Sequence, residues 1–160
     1  VGRSAHDTAT PQFVSSPGYE NAWLYPDNTE VSVEDLLADP AIKLLIRKAG
    51  ARSSDMAAEL VKHVGLQGDI TYSTNNGLIE VVPLGISKAT GVDEVARPYE
   101  ISAEDVVAFG DMPNDIPMLR WAGLGVAMGN AHPEAVEAAD EVTGTNTDDG
   151  LVLVLERWWM

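Results

Sequence analysis

The sequence has no cysteine, so neither a disulfide framework nor a thiolate metal centre is available; a reducing cytoplasm is permitted, though not demanded, and a cytoplasmic setting is the expectation. Basic residues are scarce. Ten Lys and Arg stand against 25 Asp and Glu, a formal net charge of −15 over 160 residues. That balance, without any basic cluster, argues against nucleic acid and against anionic membranes as partners. An acidic chain that handles an anionic substrate needs local positive charge, from a metal ion or a placed Lys or Arg. No apolar run approaches the roughly 18 residues that span a bilayer. The opening Val1-Gly2-Arg3-Ser4-Ala5-His6 has no apolar signal core, and it lacks an initiator Met, so Val1 is expected to lie inside a longer chain. There is no G-x-S-x-G elbow of a serine hydrolase. His6, His63 and His132 lie far apart with no i,i+4 pair, which speaks against zinc.

The chain does have a normal apolar fraction, 45%, and a length that suits one ordinary domain or two small ones. Its first thirty residues are rich in turn formers, with short strands expected at Phe13-Val14 and at Ala22–Tyr25. Ser32-Val33-Glu34-Asp35 has the form of a helix start, with Val33, Leu36 and Leu37 as its apolar stripe and an end near Pro40. A strand is expected over Ala41–Ile46. A helix follows over Ser54–Val64, with Met56, Leu60, Val61 and Val64 on one face. Thr74-Asn75-Asn76-Gly77, flanked by Ile70–Ser73 and Leu78–Val82, is the strongest hairpin signal, because Asn-Gly tolerates positive φ. Pro83-Leu84-Gly85 reads as a hinge. Beyond it, βα units alternate: helix Ser87–Ala96, strand Val106–Phe109, helix Asn114–Ala122, strand Leu124–Met128, helix Pro133–Ala139, a strand near Glu141–Thr143 and a last helix Gly150–Trp159. Such alternation implies parallel pairing.

The stretch Val106 to Asp115 concentrates the chemistry. Apolar residues run into Gly110-Asp111, and Asn114-Asp115 follows where a helix can begin. In open α/β sheets ligands bind beyond the carboxyl ends of the strands, so Asp111 and Asp115 are placed together at that mouth. Two carboxylates there suit a hard cation such as Mg²⁺. Taken alone, the same residues are ordinary loop and capping types. Lys88 opens a helix, where backbone N–H groups and the helix dipole favour an anion and the ammonium adds a point charge for a phosphoryl oxygen. Gly123-Leu124-Gly125 and Gly129 have the wrong spacing for a dinucleotide loop, and Gly123 and Gly125 do not follow their strand. Asp148-Asp149-Gly150 reads as a cap of the final helix.

Taken together, Gly85-Ile86-Ser87-Lys88, then Val107–Asp115, Gly125–Ala131, Ala139–Thr143 and Asn146–Gly150 strongly resemble the carboxyl-terminal half of Cof-type phosphatases. These belong to the haloacid dehalogenase superfamily, in its subclass with an α/β cap. The resemblance covers roughly Ile70 to Glu156. It implies an α/β fold: part of a Rossmann-like core with a parallel sheet and flanking helices over residues 85–160, and part of an α+β cap over residues 1–84. It implies Asp111 as the principal Mg²⁺ ligand, with Asp115 completing or supporting the metal site. Asn114 would orient the phosphoryl group or the nucleophile, and Lys88 would neutralise the transferring phosphoryl. Asn130 matches a position close to the site without a defined role. The implied reaction is hydrolysis of small phosphorylated metabolites through an aspartyl-phosphate.

The family's nucleophile motif, D-x-D-G-T or D-x-D-G-V, occurs nowhere in the 160 residues. The chain by itself is therefore expected not to turn over. Its strand Val106–Phe109 is expected to pair with the absent segment or with another copy of the chain. A non-catalytic metal- or phosphate-binding module, serving as an interaction partner, is the competing expectation. A nucleotide-binding α/β domain is a third, which the glycine spacing disfavours.

Overall fold

The computed structural model describes residues 2–4, 13–20 and 28–159 and divides the chain into two compact units, Val1–Gly85 and Ile86–Met160. The strand expected at Ala22–Tyr25 lies outside the described residues. Among the described residues no helix is long and apolar enough to cross a membrane. The fold class is α/β, as the βα alternation implies.

In the first unit six strands form one sheet: β1 (Gly2–Ser4), β2 (Phe13–Ser15), β3 (Asn28–Glu30), β4 (Lys43–Arg47), β5 (Asp69–Thr71) and β6 (Leu78–Val82). Their order is β3-β2-β1-β4-β6-β5, antiparallel except for the β2–β3 pair. Helix α1 (Val33–Ala38) begins where Ser32 accepts a hydrogen bond from the Asp35 N–H at 3.0 Å, and it buries Leu36. Helix α2 (Ser53–Val64) sets Met56 and Leu60 beside Ile46 and Ile79 around an open cavity of about 670 Å³. Val61, expected on the apolar face of α2, is 54% exposed. On the other face of the sheet Phe13, Leu45 and Leu78 form a buried cluster, with the Tyr19 ring 5.8 Å from that of Phe13.

The arm joining β5 to β6 is longer than the Asn-Gly signal suggests, because its last residues are held from outside the hairpin. The N–H groups of Gly77 and Leu78 both donate to the buried Ser53 hydroxyl at 3.1 Å, and the Gly77 carbonyl accepts from Lys48 at 2.8 Å. Gly77 adopts φ +86°, and a Cβ there would stand 2.1 Å from the Lys48 carbonyl oxygen, so glycine is required twice over.

The second unit begins with α3 (Lys88–Ala96), followed by strand β7 (Val107–Gly110), helix α4 (Ile116–Trp121), strand β8 (Leu124–Ala127), helix α5 (Pro133–Ala138), strand β9 (Glu141–Val142) and helix α6 (Gly150–Trp159). The sheet is parallel, in the order β7-β8-β9. The pairs Ala108 with Gly125 and Gly110 with Ala127 put only small residues on the face towards α4. That is why the helix comes so close. A Cβ on Gly125 would lie 2.2 Å from the Leu119 carbonyl oxygen. Val107, Phe109 and Leu124 on the opposite face are only half-buried, while Val126 is completely enclosed. Among the described residues β7 is paired on one side only. Along α6, Val154 is buried but Leu151, Val152, Leu153 and Trp158 are exposed, which leaves much of an apolar helix uncovered.

The helix expected to start at Asn114 starts two residues later. Pro113–Asp115 form a separate 3₁₀ turn, because the Asp115 side chain reaches back to the loop in front of it.

Candidate active site at the carboxyl ends of the parallel strands

Asp115 is the centre of the polar contacts. It is 3% exposed, and its Oδ2 accepts from the backbone N–H of Asp111 at 2.9 Å and of Met112 at 3.0 Å. Its Oδ1 accepts from Lys88 Nζ. One buried carboxylate thus closes the loop after β7 and fastens the lysine that opens α3. The lysine side chain stays 49% exposed against 5% for the aspartate, so its charge still faces solvent. A hydrogen bond to a charged group contributes about 1.5–3 kcal/mol, and that exposure places this one at the low end.

Local sequence explains the convergence. Gly110 ends β7, and a Cβ on it would sit 2.4 Å from Cβ of Asp115, so the strand must end in glycine for the carboxylate to tuck in. Ser87 fixes the first turn of α3. Its hydroxyl accepts from the Thr90 N–H at 3.3 Å, and Thr90 Oγ1 accepts from the Ser87 N–H at 3.0 Å, a reciprocal capping box. Lys88 is therefore presented from a fixed helix start.

Asp111 differs from Asp115. Its carbonyl accepts from the His132 N–H at 2.7 Å, and its Oδ2 accepts from Asn146 Nδ2 at 3.1 Å. Its second oxygen has no partner among the described residues and is the one free for a ligand. The side-chain oxygen of Asn114 is buried without a hydrogen-bond partner, a costly arrangement unless something absent from the chain meets it. Two uncommitted oxygens on one loop are the donor type that Mg²⁺ takes, and Mg²⁺ commonly keeps several waters and uses one or two carboxylates. The chain fits the ion as part of a site. No group of three His, Cys, Asp or Glu able to hold a metal occurs among the described residues.

Lys88, Asp111, Asn114 and Asp115 are thus brought together in the second unit, Asp115 joining Lys88 to the backbone of Asp111. Asp115 is more a fastener than a free ligand, since both of its oxygens are engaged. Sequence reasoning did not give Asn146 or Ser87 a role. Their signals, an Asn in a Thr-rich loop and a Ser before a Lys, are common in loops and caps. His132 acts as a helix cap, its Nδ1 accepting from Glu134 at 3.4 Å. Asp148, expected to cap α6, instead takes the Thr145 hydroxyl at 2.5 Å.

The sequence profile of the haloacid dehalogenase-like hydrolases matches residues 6–155, nearly the whole chain. The chain belongs to this family. Over 105 residues it is 41% identical to the 5-amino-6-(5-phospho-D-ribitylamino)uracil phosphatase YcsE of Bacillus subtilis, which covers 66% of this chain and 41% of that protein. The solved structure of BT1666 from Bacteroides thetaiotaomicron, one of the phosphatases of the haloalkanoate superfamily, is 31% identical with a TM-score of 0.67, covering 83% of this chain and 48% of that one. The subclass IIB sugar phosphatase BT4131 matches with a TM-score of 0.72 at 29% identity, covering 81% and 48%. The haloacid dehalogenase-like chain described here therefore spans about half the length of the relatives it matches.

Proposed function

We propose that this haloacid dehalogenase-like chain is the carboxyl-terminal part of a Mg²⁺-dependent phosphatase acting on small phosphorylated metabolites of the sugar-phosphate type. The observation that carries the reading is Asp115 binding both Lys88 and the Asp111 loop, since this joins a cation for the phosphoryl group to a carboxylate with one open oxygen. Names of the relatives point the same way: one is a phosphatase of a phosphoribityl compound and another a sugar phosphatase. Bound Mg²⁺ would supply electrostatic stabilisation of the phosphoryl oxygens.

The residues of this chain divide the work. Asp111 holds the cation through its open oxygen, and Asp115 supports it by fixing the loop. Lys88 offsets negative charge on the transferring group, a local cation in a protein of net charge −15. Asn114 orients the phosphoryl group or the nucleophile. The aspartyl nucleophile comes from a D-x-D-G segment outside the 160 residues, and the unpaired edge of β7 receives that segment or another copy of the chain. Residues 1–84 serve as part of an α+β cap, and residues 85–160 as the later half of the core. The absence of cysteine agrees with a cytoplasmic setting.

The test is p-nitrophenyl phosphate hydrolysis with Mg²⁺ by the longest natural product that carries this sequence and a D-x-D-G segment. Asp111→Ala is expected to lower the rate about 10²–10³-fold, the size typical of losing a preorganised electrostatic group. Activity that survives the substitution removes the metal assignment. Turnover by the 160-residue chain alone overturns the fragment reading. A second reading, a binding module without turnover, is favoured by the missing nucleophile. It predicts that Mg²⁺ raises the melting temperature while every length of the product stays inactive.

A further inference from the structure

Three loops follow the three parallel strands, and hydrogen bonds link them in a chain. Asn146, in the loop after β9, donates through Nδ2 to Asp111 Oδ2 at 3.1 Å, across 35 residues of sequence. The backbone N–H of Asn146 donates at 2.9 Å to Oδ1 of Asn130, in the loop after β8. The Gly129 N–H donates to the Gly144 carbonyl at 2.9 Å and draws the same two loops together. Both amide orientations are fixed by chemistry. A carboxylate offers only acceptors, so Asn146 must present its NH₂, and a backbone N–H offers only a donor, so Asn130 must present its oxygen.

We propose that Asn146, held in place by Asn130, is a positioning residue for Asp111, occupying one carboxylate oxygen so that the other is aimed for a cation. The inference rests on the metal reading above. A free aspartate side chain rotates about two torsions, and ordering it on binding costs affinity. An amide donor already seated on Oδ2 removes that cost and leaves one oxygen exposed. A mere loop brace would act equally through Thr147, whose hydroxyl contacts that of Thr145 at 2.9 Å in the same loop.

Two measurements on the 160-residue chain decide the matter. The first needs no metal. In ¹⁵N spectra the side-chain NH₂ pair of Asn146 is expected to shift with Asp111→Ala, Asp111→Asn and Asn130→Ala, while that of Asn75 in the first unit stays in place. No response of the Asn146 pair to either Asp111 substitution overturns the proposal. The second is a Mn²⁺ titration followed by electron paramagnetic resonance. Asn146→Ala is expected to weaken Mn²⁺ binding about ten-fold or more, as for other groups that orient a metal's ligands. Asn130→Ala should weaken it less and Thr147→Ala not at all. Equal losses in Asn146→Ala and Thr147→Ala, or none in Asn146→Ala, overturn the proposal. If wild type and Asp111→Ala bind Mn²⁺ alike, the metal reading fails, and the NMR response still decides whether Asn146 holds Asp111.

Discussion

In the unit up to Gly85 the strands run mostly antiparallel, so their connections emerge at both ends of the sheet, whereas in the unit from Ile86 all three strands are parallel and deliver their carboxyl ends to one edge. The polar contacts follow that difference. In the first unit they remain separate pairs: Ser53 holds the arm before β6, Arg47 donates to the carbonyl of Asn76 at 2.9 Å, and Lys43 on β4 pairs with Glu80 on β6 at 2.7 Å. In the second they converge, and Lys88, Asp111, Asp115, Asn130 and Asn146 join into one network though the outermost two, 88 and 146, lie 58 positions apart. Parallel topology concentrates distant side chains at a point, while antiparallel topology spends them on register.

Substitutions can sharpen the contrast. The largest effect is expected from Asp115→Ala, which leaves the N–H groups of Asp111 and Met112 without their acceptor and releases Lys88. Urea unfolding should show a loss of about 2–6 kcal/mol, from two stranded donors at ~1–3 kcal/mol each. Mn²⁺ affinity should fall with it. Ser53→Ala comes next. Two N–H groups lose a fully buried acceptor, for about 1–3 kcal/mol, but Mn²⁺ affinity should be unchanged because the loss is confined to the first unit. A fall in Mn²⁺ affinity would break the comparison. The smallest effect is expected from Ser87→Ala, which removes a helix cap worth about 1 kcal/mol. Its Lys88 resonances should nonetheless shift, because the first turn that presents the ammonium is loosened.

Much of the second unit could be read in advance because its signals are local and strong. The apolar run into Gly110-Asp111 gave the strand and loop, and the Ser-Lys start gave α3. The beginning of α4 was misplaced because a side chain, not backbone propensity, ends the turn before it. Both β1 and β3 escaped notice, since Gly2-Arg3-Ser4 and Asn28-Thr29-Glu30 have no apolar alternation and are strands only through their neighbours. Val61 departs from the expected stripe of α2: it is 54% exposed, while Met56, Leu60 and Val64 are partly buried. At the candidate site, residue types single out Asp111 and Lys88, and the structure links both through Asp115. The part played by Asn146 depends on two loops meeting in space, which no spacing within the chain expresses.

The missing side chain of Gly110 has a consequence for how this protein can change. The volume a methyl group would fill at the end of β7 is already occupied by Asp115, so strand packing and site chemistry draw on the same few cubic ångströms. Enlarging the residue at position 110 to stiffen the sheet would push the fastening carboxylate off its lysine. At this position sheet packing and the Asp115–Lys88 contact can be adjusted only as one variable.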